Sequence, residues 1–138
     1  MLGPHALRQK ILERSWAFIG TTPLPPPMAG AALESLKILQ REPARRTRLF
    51  ENLRYVRQEL AAAGWKIADT PGPIVRLPSL DEKRATKLKS RLLAAGIYPS
   101  FLKYGNASAG GVFRFVISSE HARAHLDALV EVLADFNR

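Results

Sequence analysis

Val112-Phe113-Arg114-Phe115-Val116-Ile117, running on into Ser118-Ser119-Glu120-His121, is the stretch on which the reading of this chain turns. The first six residues alternate as a strand does. Phe113, Phe115 and Ile117 share one face, and Val112, Arg114 and Val116 share the other. A charge in the middle of so apolar a strand needs a partner, a ligand or a path to water. One reading makes Arg114 a fork that grips a carboxylate bidentately. The other makes it an edge-strand arginine whose head snorkels to solvent.

Downstream, Ser119 is a candidate N-cap for a last helix, with Leu126, Leu129, Val130 and Leu133 as its apolar stripe. Upstream, Gly105-Asn-Ala-Ser-Ala-Gly110-Gly111 reads as a flexible connection to a strand over 97–102. It lacks the Lys-Ser/Thr of a phosphate-binding loop and precedes a strand rather than a helix. Before it, Ser79-Leu-Asp-Glu82 matches a capping box. The box opens a helix with Leu88, Leu92 and Leu93 inside, ended by Gly96. Short strands are expected over 65–68 and 74–77, with Pro71-Gly72 as the turn between them. Leu49, Leu53, Val56 and Leu60 mark an amphipathic helix capped by Gly64.

The sharpest break is Thr21-Thr22-Pro23-Leu24-Pro25-Pro26-Pro27. Proline removes the amide donor and pushes its predecessor to extended geometry, so residues 20–26 form a loop and Pro27 fits a first helical turn. A short helix over 6–16 precedes it. An Ala-rich helix from Met28 through Leu39 follows, expected to be closely packed and buried, until Pro43 kinks or restarts it. The element order predicts an α/β two-layer sandwich, a small, mostly antiparallel sheet with helices on one face, preceded by a helical segment and the proline loop. Residues 41–138 make the small domain. Residues 1–40 have no strands to cover them and read as a segment that packs against another domain or another chain.

Composition bounds the function. The 138 residues suffice for one domain with a core. Hydrophobic residues at 46% and charged residues at 24% describe a globular chain. With no cysteine there is no disulfide, thiolate metal site or cysteine nucleophile. No apolar run approaches the roughly 20 residues that span a bilayer, and the first residues carry no signal-peptide pattern, so a cytoplasmic protein is expected. The net charge of +9 raises nucleic acid as a partner. Its best features are Arg41, Arg45, Arg46 and Arg48 around Pro43, and the stripe Lys83, Lys87 and Arg91. They are separated in sequence and lack interleaved aromatics, so solvated helix faces are the simpler reading. His121 and His125 share a helix face at a spacing that can hold a metal, but no acidic residue stands between them and no third ligand is in sight. Thr21 and Thr22 offer hydroxyls that suit a phosphate, or ordinary loop polarity.

Two segments in this order resemble a known family. Phe18-Ile-Gly-Thr-Thr-Pro-Leu-Pro-Pro-Pro27 with its Ala-rich helix resembles the segment after the active-site lysine in the α-oxoamine synthases, fold-type I pyridoxal-phosphate enzymes related to the class I and II aminotransferases. Phe113-Arg-Phe-Val-Ile-Ser-Ser-Glu-His121 resembles their strand ending in Ser/Thr-x-x-His, followed by a terminal helix with Asp127-Ala-Leu129. The resemblance runs from about Ala6 to Phe136. It implies that Arg114 binds the substrate carboxylate. It implies that Thr21 and Thr22 approach the cofactor phosphate, often in the neighbouring subunit's site, and that His121 is structural. It places residues 1–40 at the interface of large domain and dimer.

It also implies pyridoxal phosphate as cofactor of the complete enzyme, and an amino acid, with or without an acyl-CoA, as substrate. The family's Schiff-base lysine is expected upstream of residue 1, because none of the seven lysines here stands in its Ser/Thr-rich context. The chain alone is then expected to be inactive, binding the cofactor weakly or not at all. Lys103–Gly111 replaces the family's Pro-x-x-Pro loop, which keeps an aminotransferase-like reaction open. The other readings are a non-catalytic module that dimerises with a full-length relative, and a basic nucleic-acid-binding domain.

Overall fold

Prolines and glycines set the boundaries of the elements, and the apolar stripes set their packing. The computed structural model describes residues 3–19, 22, 24–103 and 111–137. The chain divides into two compact units, Met1–Arg41 and Glu42–Arg138.

The first unit is helical: α1 (His5–Arg14), α2 (Trp16–Ile19) and α3 (Pro26–Arg41). Pro26 and Pro27 occupy the first turn of α3, where a missing N–H has no consequence. Helix α3 departs from expectation in having no buried residue. Met28, Leu33, Leu36 and Leu39 are all exposed, at 48–58%. The sequence pattern identifies an apolar helix, but no described residue of this unit buries it.

The second unit holds α4 (Pro43–Ala62), β1 (Ile74–Arg76), α5 (Glu82–Ala94), β2 (Ser100–Leu102), β3 (Val112–Val116) and α6 (Arg123–Asn137). The strands form one antiparallel sheet in the order β1-β3-β2. Phe113, Phe115 and Ile117 are buried with Val75 and Leu77 against Leu53, Val56 and Leu60 of α4, Leu88 and Leu92 of α5, and Leu126, Leu129 and Leu133 of α6. Helices therefore cover one sheet face. Val116 and Ile74, on the other face, stay exposed.

Five local expectations need correction. Residues 65–68 are not a strand. Trp65 instead buries its ring, donates Nε1–H to the Leu133 carbonyl (2.9 Å) and stacks on Phe136, so tertiary packing overrides its strand propensity. The cap of α5 is Asp81, whose Oδ1 accepts the Arg84 N–H at 2.8 Å, rather than Ser79. Leu93 lies off the Leu88–Leu92 stripe and is 46% exposed. Helix α6 starts at Arg123 and not after Ser119, because residues 118–121 form a turn that Asn52 and His121 hold. The strand before Gly111 is shorter than expected, since Pro99 has no amide to give a ladder. Gly64 does end α4, at φ +85°, the left-handed region that glycine enters without strain.

Candidate functional site

Arg114 lies at the centre of the exposed sheet face because β3 is the middle strand. It faces Arg76 of β1 on one side and Ser100 of β2 on the other. The edge-strand reading of this arginine is thereby overturned: its backbone is paired on both sides. Leu77 N–H donates to the Phe113 carbonyl (3.1 Å) and Ile117 N–H to the Pro73 carbonyl (2.8 Å). Those two bonds place the intervening Arg76–Arg114 rung among the non-hydrogen-bonded kind. There, opposed residues come closest, with Cα atoms about 4.5 Å apart.

The Arg114 side chain is half-buried, and its Nε is out of water with no hydrogen-bond partner. Arg57 has a similar Nε, but the comparison separates them. The terminal nitrogens of Arg57 bond Asp69 Oδ1 (3.0 Å) and the carbonyls of Thr70 (2.6 Å) and Gly72 (3.2 Å), stapling a loop. Arg114 makes no hydrogen bond or ion pair with any described residue. Native structures rarely leave a buried donor unused, so an unpartnered guanidinium marks a place for an acceptor from outside.

A cleft of about 630 Å³ opens beside it. Its origin lies in strand length. The β2 ladder ends at the Ser100–Arg114 rung, so Phe115–Ile117 have no β2 neighbour. The cleft fills that gap, between the 95–98 turn and the His121, Ala124 and His125 side of α6, with Arg114 and Ser100 in its lining. It is mostly apolar, and no lysine lines it.

His121 and His125 contribute local capping. His121 Nδ1 accepts the Ser118 N–H (3.2 Å), and His125 Nδ1 accepts the Ala122 N–H (3.3 Å). Asn52 Nδ2 donates to the carbonyls of Ser118 (2.9 Å) and His121 (3.2 Å), tying this turn to α4. Among the described residues no three metal-ligating side chains come together. Thr22 is exposed in the first unit. Thr21 lies outside the described residues.

The basic clusters are engaged in part. Arg45 pairs with Glu42 and with Glu120 (2.8 Å), and the Glu42 hydrogen bond holds its pKa above the ordinary value. Arg41 pairs with Glu34. Arg91 lies over the Phe136 ring at 5.8 Å. Beside α4, Tyr55 donates to Asp127 Oδ1 (2.6 Å), and Arg123 stacks over the Tyr55 ring. The Tyr55 hydrogen bond holds the Asp127 carboxyl below its ordinary value and the Tyr55 hydroxyl above its own.

Sequence reasoning finds Arg114 but misses Arg76. The signal was present in Ile74-Val75-Arg76, whose alternation sends Arg76 to the outer face. Only the register shows that it lands opposite Arg114.

Residues 2–133 match the family described as aminotransferase class I and II. An 8-amino-7-oxononanoate synthase of Methylococcus capsulatus is 34% identical over 134 residues, covering 96% of this chain and 35% of that protein. A serine palmitoyltransferase from S. paucimobilis with a bound PLP–myriocin aldimine superposes with TM-score 0.82 at 24% identity, over 96% of this chain and 34% of that one. An 8-amino-7-oxononanoate synthase from Francisella tularensis does so with TM-score 0.78 at 24% identity, over 96% and 39%. The chain thus spans about a third of the length of the curated relatives it matches.

Proposed function

The chain belongs to the aminotransferase class I and II family, and from that premise we propose that it is the C-terminal part of a pyridoxal-phosphate-dependent transferase of the α-oxoamine synthase kind. The complete enzyme joins an amino acid to an acyl-CoA in the cytoplasm. Pyridoxal phosphate, held by a lysine in the upstream domain, supplies the electron sink that lets the amino acid's Cα lose a substituent.

The residues here fit the acidic ends of such a system. Arg114 takes the substrate carboxylate through its two-pronged fork, and the orphaned Nε at 112–116 is the observation that carries this reading. Holding the carboxylate fixes the rotation about Cα and so decides which bond faces the electron sink. The apolar cleft excludes water from that side. Thr21 and Thr22 serve the cofactor phosphate. The chain works joined to the upstream domain that supplies the lysine. The exposed leucines of α3 form the surface that meets that domain and a second subunit, an apolar patch of the kind that marks an interface.

The test is a hybrid enzyme. The M. capsulatus synthase keeps its first two thirds and takes this chain as its last third. Loaded with pyridoxal phosphate, it is assayed for CoA release from an acyl-CoA in the presence of single amino acids. Amino-acid-dependent CoA release is expected. Amino-group transfer to a keto acid with no CoA release would replace the acyl-transfer reading by an aminotransferase one.

A further inference from the structure

Arg76 and Arg114 stand on one rung of the sheet, in the closer of the two antiparallel pairings, and neither meets an acidic side chain among the described residues. Like charges directly opposed across two strands destabilise a sheet. The unit has carboxylates available and uses them elsewhere: Asp69 on Arg57, Glu120 on Arg45, Asp127 on Arg123. Arg114 is half-buried in the lining of the cleft, and Arg76 is exposed beside it on the rung, outside that lining. A single carboxylate is satisfied by one fork. It leaves the second positive charge, on the residue paired across the rung, unbalanced.

We propose that the two arginines form a seat for a dicarboxylate, so that the amino acid handled at this site carries an acidic side chain. Arg114 takes the α-carboxylate and Arg76 takes the second acidic group. This rests on the assignment of Arg114 made above and adds a specificity-determining residue to it. Ser100, on the other flank of Arg114, has no charge to offer, which leaves the β1 side as the side on which the second acidic group is read.

The experiment uses the full chain and two probes that differ by one carboxylate, glutarate and butyrate, titrated by calorimetry at pH 7 and constant ionic strength. The chain is compared with Arg76→Gln, Arg114→Gln and Lys87→Gln, the last a control for the loss of one exposed cation. Glutarate is expected to bind about tenfold more tightly than butyrate, the equivalent of about 1.4 kcal/mol. Arg76→Gln is expected to erase that preference while leaving butyrate unchanged, and Lys87→Gln to leave it intact. Equal weakening of both probes by Arg76→Gln would mean that the two arginines share one carboxylate, and would overturn the dicarboxylate proposal. So would an Arg76→Gln variant that keeps the preference, or the absence of saturable glutarate binding. Binding of both probes that ignores Arg114→Gln would instead remove the assignment of Arg114 itself. Circular dichroism of each variant verifies that the fold is kept, since both side chains lie on the outer sheet face.

Discussion

Replacing Arg114 by methionine should make this chain more stable, and the size of the gain follows from what the side chain lacks. An Nε–H buried without an acceptor costs about 1 kcal/mol or more. The charge facing Arg76 across a close rung adds about 0.5 kcal/mol. Methionine keeps an unbranched apolar stem of similar reach and removes both penalties. The expected gain is about 1–2 kcal/mol, or an increase in Tm of about 4–8 °C for each kcal/mol in a unit of this size. Urea unfolding followed by circular dichroism measures it. Added salt should narrow the difference, because screening relieves the arginine–arginine repulsion in the parent alone. If the variant is instead destabilised, Arg114 is a structural residue that packs the sheet, and the argument from its missing partner fails. A binding arginine held at the expense of stability is what a functional site looks like from the folding side.

Other outcomes are expected from the same structure. Leu88→Ala, at a site 0% exposed, should lose about 2–5 kcal/mol in the same assay. Leu93→Ala, one turn-step away but 46% exposed, should stay within about 0.5 kcal/mol; equal losses would refute the assigned helix face. The hydrogen bond from Tyr55 lowers the Asp127 pKa from 3.8, so its contribution is present above that value and is lost as pH falls through the depressed one. Asp127→Asn should therefore reduce the dependence of stability on pH below about 4, and an unchanged acid limb would contradict the assignment. Leu33→Lys with Leu36→Lys in α3 should leave the unfolding of the second unit unchanged while abolishing self-association of the hybrid enzyme in sedimentation experiments. A hybrid that still dimerises would show that α3 is not at the interface.

The sequence shows most of the fold wherever periodicity and burial agree. The stripes of α4, α5 and α6 and the alternation of β3 all point to one core. It misleads where a residue's use is settled at a distance. Trp65 reads as strand because it is aromatic and follows a glycine, yet the Leu133 carbonyl and the Phe136 ring, far along the chain, decide its place. Ser119 reads as a cap, but the hydrogen bonds from Asn52, 66 residues away from Ser118, hold that segment as a turn. The site divides in the same way. Arg114 stands out from its own neighbours in sequence. Whether it is an edge or a central residue, and that Arg76 faces it, depend on strand order and register, which no local pattern encodes. The cleft follows from β2 stopping short at Pro99.

The most direct measurement is the steady-state kinetics of the hybrid enzyme with Arg114→Ala. A charge-assisted fork to a carboxylate is worth about 3 kcal/mol, so kcat/KM for the amino acid should fall by about 100-fold or more. Cofactor absorbance and KM for the acyl-CoA should be unchanged. A fall of less than about threefold, with the cofactor still bound, would show that the substrate carboxylate is held elsewhere and would contradict the account at its centre.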